Sequence, residues 1–264
     1  MPAVTAAPVG RVAFVGAGPG QADLITLRGA QRLAQAAVVL SDALADPALR
    51  ELAPQARWLH VGKRGYADST GQEAINALLI KCARDVGHAG LVVRLKGGDP
   101  SIFGRLEEEL QAMAAAGIAC EVVPGVTAAL AAAASVQRPL TRRGVGRSVS
   151  FATAMTATGT SDAGACGHAD TEVFYMAGKQ LGALSRKLVR AGWPGDTAVS
   201  VVSRAGWPDE LSSDHTVATL GRASMLHTGR PTVVVVGAGA RALNPIESPA
   251  VEKASAPWTA ALNT

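Results

Sequence analysis

Aromatic side chains are scarce in this 264-residue chain, which holds four Trp, two Tyr and four Phe. Ten rings leave little surface on which nucleic-acid bases could stack. Cysteine is scarcer still. Cys82, Cys120 and Cys166 stand far apart and form no C-x-x-C pair, which excludes a disulfide framework and a zinc knuckle. The five histidines (His60, His88, His168, His215 and His227) show no H-x-x-x-H spacing, so no metal site is expected. No apolar run approaches the roughly 20 residues that cross a bilayer. Met1–Gly10 lacks the charged start and apolar stretch of a secretory signal. The expectation is a cytoplasmic protein with no membrane partner. Acidic residues are also missing from one long stretch, Val122 to Ser161.

What is present is ample material for a core. Hydrophobic residues make up 48% and charged residues 17% of the chain, and 52 residues are alanine. The interior is expected to be built from closely packed small aliphatics. The net charge is +4, and 19 of the 25 basic residues are arginine. That balance falls short of a nucleic-acid-binding domain but suits an anionic small molecule.

Short β-branched runs alternate with longer amphipathic ones. Val12–Val15, Ala37–Leu40, Trp58–Val61, Leu91–Leu95 and Glu121–Val123 are expected strands, apolar enough to be buried on both faces of a parallel sheet. Helices are expected over Thr70–Val86, where Thr70 and Glu73 have capping-box spacing, and over Leu106–Ala116 and Val126–Val136. After Pro139 the pattern restarts, with strands expected at Ser148–Thr153, Glu172–Met176, Ala198–Val202, His215–Leu220 and Thr232–Val236 and a helix at Leu181–Ala191. The fold class is therefore α/β with two α/β domains and mostly parallel or mixed sheets. The first is expected over residues 10–140 and the second over 145–240, with a disordered tail over 241–264. The loop Ala154–Asp170 is long enough to be functional.

Two glycine clusters follow buried strands. Gly16-Ala17-Gly18-Pro19-Gly20 closes the first strand, where glycines let backbone approach a ligand. A nicotinamide dinucleotide site is one reading, with Asp42 as its ribose-binding carboxylate. The spacing is not G-x-G-x-x-G, however, and Pro19 removes an N–H donor. The second cluster, Lys96-Gly97-Gly98-Asp99-Pro100, closes the fourth strand and reads alone as a tight turn. In the acid-free stretch Arg138, Arg142, Arg143 and Arg147 fall within ten positions, as a polycarboxylate ligand would require. Glu107–Glu109 reads as an acidic first helical turn.

Taken in order, these blocks resemble the tetrapyrrole methylase family. The resemblance covers about residues 11–240. It rests on Val15–Gly20 with Leu24–Leu27, Val61-Gly62-Lys63-Arg64, Gln72-Glu73 with Ile75-Asn76, Val93–Pro100 with Ile102–Arg105, Val122–Ala128, Pro139-Leu140-Thr141 and Val173–Met176. It implies methyl transfer from S-adenosyl-L-methionine, leaving S-adenosyl-L-homocysteine, to two ring carbons of uroporphyrinogen III. The product is precorrin-2, in siroheme or cobalamin biosynthesis. The resemblance also implies a homodimer and a cofactor folded into the cleft between the two domains. Carried over by position, Pro19, Gly97, Gly98, Asp99, Ile102, Thr127, Ala128, Met176 and Ala205 bind that cofactor, Asp42 accepts a proton and Lys63 donates one. Departures fall at Ser41-Asp42-Ala43, Leu106-Glu107, Thr141-Arg142-Arg143 and Thr153-Ala154-Met155, on the substrate side. Methylation of a later corrinoid precursor is the alternative within the family.

Overall fold

Six consecutive buried residues, Leu91–Lys96, form a strand that needs cover on both faces, and the first sheet is built around it. The computed structural model describes residues 9–61, 71–155 and 169–243. The chain divides into two units between Thr127 and Ala128, ahead of the 138–147 stretch at which the strand pattern restarts.

In the first unit β1 (Arg11–Gly16) leads into α1 (Leu27–Ala34), then β2 (Val38–Ser41) and β3 (Arg57–His60), with a 3-10 helix at Pro47–Leu52 between these two strands. There follow α2 (Gln72–Asp85), β4 (Leu91–Lys96), α3 (Leu106–Ala115) and β5 (Cys120–Val123). The strands lie in the order β3-β2-β4-β1-β5, all parallel. Alternation along each strand splits the core. Ala13, Val15, Val39, Val93 and Leu95 pack on one face with Leu33 of α1. Val12, Phe14, Leu40 and Val92 pack on the other with Leu79 of α2 and Met113 of α3. The chain therefore leaves the neighbouring strands β1 and β4 toward opposite faces. That divergence is a topological switch point, where open α/β sheets bind ligands.

In the second unit α4 (Ala128–Ser135) precedes β6 (Val149–Thr153), β7 (Thr171–Tyr175), α5 (Leu181–Arg190), β8 (Ala198–Ser203), β9 (Leu211–Thr216), α6 (Ser224–His227) and β10 (Thr232–Gly237). The order is β6-β7-β10-β8-β9, with β6–β7 parallel and the other pairs antiparallel. Leu181, Leu184 and Leu188 of α5 cover Val199, Val201, Val234 and Val236.

α6 is absent from the sequence reading, and three further elements differ from it. α1 is additional: Thr26 Oγ1 accepts from Gly29 N at 3.1 Å as its N-cap, and its buried face is Gly29, Ala30 and Leu33. The strand expected at His215–Leu220 runs instead over Leu211–Thr216, as an edge strand registered from Ser203↔Leu211 to Ala198↔Thr216. The apolar residues beyond it, Val217 and Leu220, are buried through a turn and a 3-10 helix. α2 begins at Gln72. Thr70, half of the expected capping box, lies outside the described residues.

A buried relay links β8, β9, α6 and β10. Thr232 Oγ1 donates to the Arg230 carbonyl at 2.8 Å and accepts from Ser203 Oγ at 2.7 Å, so Ser203 accepts from His227 Nδ1 at 2.6 Å. His227 Nε2 then accepts from Ser213 Oγ at 2.8 Å, and Ser213 accepts from His215 Nε2 at 2.8 Å. In this proton direction His227 donates from Nδ1 and accepts at Nε2, which requires its imidazole to be neutral. Burial, then the charges of His215 and Arg230, lowers the His227 pKa; burial lowers that of His215 against the opposing pull of Asp214. Below the ordinary value of 6.5 the unfolded chain therefore binds protons that the folded chain refuses. Stability is expected to be full above that pH and to fall as pH drops below it. Urea denaturation at pH 7.5 and 5.5 checks this, and a midpoint that is equal or higher at the lower pH contradicts it.

Candidate functional site

Main-chain contacts between three loops define the carboxyl edge of the first sheet. After β1 and β4, Gly18 and Gly98 form an antiparallel bridge, with Gly98 N donating to Gly18 O at 2.8 Å and Gly18 N to Gly98 O at 3.2 Å. Both glycines have left-handed backbone, φ 74° and 70°. The loop after β5 closes on them so tightly that a Cβ on Gly125 would lie 2.4 Å from Gly98 O, and one on Gly16 would lie 2.6 Å from the Gly125 Cα. Gly16 and Gly125 are thus needed first for the close approach of these loops.

Two aspartates clamp this arrangement. Asp99 Oδ2 accepts from Gly125 N at 2.9 Å, while its Oδ1 accepts from Ser101 N at 2.8 Å. Asp42, just past β2, accepts from Gly97 N at 2.8 Å through Oδ2 and from Leu44 N at 2.9 Å through Oδ1. Asp42 and the Gly97–Asp99 turn, 55 positions apart, are therefore joined directly.

Beneath the turn lies a cluster that the sequence reading missed. Glu109 is fully buried and accepts from Arg94 Nε at 2.9 Å and Lys96 Nζ at 2.5 Å, both cations being almost fully buried as well. Arg94 also donates to the carbonyls of Leu40 and Leu95, tying β2 to β4. Burial, followed by the Arg94 charge, pulls the Lys96 ammonium below the ordinary lysine value, while Glu109 and Asp42 oppose the fall. Glu107–Glu109 do form the acidic first turn of α3, and within it Glu109 is also a buried counter-ion, while Glu107 and Glu108 are exposed. A signal was available: two cations in a strand buried on both faces require a carboxylate, and Glu109 stands four residues before the core residue Met113.

The other candidates divide between the units. Pro19 is buried, and Gly97, Gly98, Asp99 and Ile102 are half-buried along one continuous turn. Thr127 is buried and Ala128 opens α4. In the second unit Ala205 is buried just after β8. Met176 follows β7 with left-handed backbone, φ 56°, and is 41% exposed, so it is not core filling. Phe103, after β4, has the same character with φ 52° and 44% exposure. Lys63 and residues 244–264 of the expected tail lie outside the described residues, as does most of the 154–170 loop.

The four arginines of the cluster differ in their contacts. Arg138 pairs both terminal nitrogens with the Asp214 carboxylate and also donates to Ala240 O, so it serves the second unit's own structure. Arg142 donates to the Arg241 carbonyl and closes a tight turn with Gly146. Arg143 and Arg147 are exposed.

A cavity of about 290 Å³ opens beside Asp42, lined also by Ser41, Asp46, Arg50, Trp58 and His60. Among the described residues no group of three or more His, Cys, Asp or Glu could hold a metal ion. None of the described helices is long and apolar enough to cross a membrane.

Residues 11–221 match the family described as Tetrapyrrole (Corrin/Porphyrin) Methylases. A siroheme synthase of Baumannia cicadellinicola subsp. Homalodisca coagulata is 41% identical over 237 residues, 87% of this chain and 50% of that protein. The chain thus spans about half the length of that relative. A uroporphyrinogen-III C-methyltransferase of Paracoccus denitrificans is 42% identical over 210 residues, 77% of this chain and 72% of that one. Among solved structures, the uroporphyrin-III C-methyltransferase of Thermus thermophilus complexed with S-adenyl homocysteine superposes with a TM-score of 0.75. It is 34% identical, with 86% of this chain and 97% of that one covered. The fold expected from the sequence, two α/β domains with parallel and mixed sheets, is therefore the fold observed.

Proposed function

The chain belongs to the tetrapyrrole (corrin/porphyrin) methylase family, and from that premise we propose that it is a methyltransferase that uses S-adenosyl-L-methionine to methylate two ring carbons of uroporphyrinogen III, giving precorrin-2. The observation that carries the reading is the interlocked edge at the switch point, where Gly18, Gly98 and Gly125 meet and Asp42 and Asp99 clamp the turn between them.

The residues present fit the cofactor. Backbone so close that no Cβ is admitted leaves a smooth wall of main-chain groups, and exposed Met176 and Phe103 on strained backbone suit ligand contact better than packing. The residues proposed to bind the cofactor are Pro19, Gly97, Gly98, Asp99, Ile102, Thr127, Ala128, Met176 and Ala205. When bound, it supplies an electrophilic methyl group. An electron-rich pyrrole carbon needs no strong base to attack such a methyl, so the protein's task is alignment and proton removal. Asp42 suits the second task, because two main-chain N–H bonds hold its carboxylate in place while it faces the cavity. Lys63 is the proposed proton donor of the reaction. Arg143 and Arg147, exposed on an acid-free stretch, are the arginines kept for the substrate's carboxylates. A cytoplasmic homodimer completes the proposal.

Calorimetric titration tests the cofactor assignment. S-adenosyl-L-homocysteine is expected to bind with saturating heat, and NAD to give none. Binding of NAD without S-adenosyl-L-homocysteine overturns the reading in favour of a dinucleotide enzyme.

A further inference from the structure

The cavity beside Asp42 contains Arg50, which has no carboxylate partner among the described residues. Asp42 and Asp46 both line it, yet Arg50 pairs with neither. All four of their oxygens accept main-chain N–H groups: those of Leu44 and Gly97 for Asp42, and those of Ala48 and Ala22 for Asp46. Arg50 instead donates from Nη2 to His60 Nε2 at 2.7 Å, and its guanidinium lies over the Trp58 ring, 5.6 Å from the centroid. That bond places the His60 proton on Nδ1, which donates to Ser41 Oγ at 2.9 Å. Ser41 is 2% exposed and is the register partner of His60 across β2 and β3. Trp58 stands two residues before His60, on the same face of β3, with its Nε1 bonded to the Ala53 carbonyl. The guanidinium is thus fixed from two sides by groups that are themselves fixed. Among the described residues Nη2 is its only nitrogen with a hydrogen-bond partner.

We propose that this cavity is a receptor for a carboxylate, taken by Arg50; resting on the function proposed above, its occupant is one acetate or propionate arm of the macrocycle, held beside Asp42. A planar fork already oriented loses little freedom on engaging a carboxylate, which is the condition for a strong charge-assisted pair. About 290 Å³ accommodates a short carboxylate arm with several waters, each taking about 30 Å³. The subsite orients the macrocycle by one arm, so that its neighbouring ring lies against Asp42.

Two measurements on the full chain test this. Arg50→Gln keeps a donor and removes the charge. It is expected to raise KM for uroporphyrinogen III about tenfold or more, with S-adenosyl-L-homocysteine affinity held within about twofold. An unchanged KM, or a fall in both affinities together, overturns the subsite. The second measurement needs no methyl transfer and so separates failure of the subsite from failure of the proposed function. Propionate is titrated while the Trp58 indole N–H and Arg50 Nε–H resonances are followed by NMR. Saturating shifts of both resonances in the wild type, with the Trp58 shift lost in Arg50→Gln, support the receptor; linear, non-saturating Trp58 shifts in both proteins overturn it.

Discussion

Gly98→Val is expected to weaken binding of S-adenosyl-L-homocysteine by more than about 100-fold, near 2.7 kcal/mol, while far-UV circular dichroism stays close to wild type. Gly98 has φ 70°, a conformation that costs a β-branched residue roughly 1–3 kcal/mol. The strain has no harmless outlet. Both main-chain groups of Gly98 pair with Gly18, and its carbonyl already lies 2.7 Å and 2.4 Å from where a Cβ on Gly16 or Gly125 would sit. Relaxing residue 98 therefore shifts the loops after β1 and β5 together. Gly117→Val is the matched control. Its φ is 69°, nothing lies within 4 Å of its Cβ position, and it sits in the turn from α3 to β5. It carries the same backbone cost and should leave affinity unchanged. Equal losses in the two variants would reduce the effect to general destabilisation, and no loss in either would make the Gly97–Asp99 turn a turn only.

Glu109→Gln is expected to destabilise the first unit by about 3–5 kcal/mol, since it leaves Arg94 and Lys96 buried without a counter-ion. The Lys96 pKa is already lowered by burial and by Arg94, so loss of Glu109 drives that ammonium toward its neutral form. Adding Lys96→Met to Glu109→Gln removes one of the two stranded cations and should recover part of the loss. Glu107→Gln, exposed in the same helical turn, should stay within about 0.5 kcal/mol of wild type. Urea midpoints of the four proteins decide the matter. A Glu109→Gln variant as stable as Glu107→Gln contradicts the account of the cluster.

Which parts of this protein were legible from sequence follows from how far each signal travels along the chain. The parallel strands were legible because burial on both faces makes each one a short apolar run bounded by turn residues. α1 was not, because Leu27–Ala34 spans only eight residues, too short a run for its amphipathic pattern to stand out as a helix. β9 was misplaced because Leu-Ser-Ser-Asp-His-Thr is an edge sequence, while the apolar Val217 and Leu220 beyond it are buried without strand geometry. At the site, the glycine clusters announced themselves, but the reason for them did not. Gly16 and Gly125 exclude side chains for the sake of each other and of the Gly98 carbonyl, a relation across three loops. Arg138 was assigned to substrate because its partner, Asp214, stands 76 residues away. Arg50 passed unremarked, and Trp58 and His60 were read only as part of the strand Trp58–Val61, with no role at a site.

Anaerobic incubation of the chain with enzymatically made uroporphyrinogen III and methyl-labelled S-adenosyl-L-methionine, followed by mass analysis of the macrocycle, tests the proposed activity most directly. The account predicts a product carrying two labelled methyl groups, with S-adenosyl-L-homocysteine formed in matching amount. A macrocycle recovered without label, or one labelled only when a later corrinoid precursor is the acceptor, contradicts it.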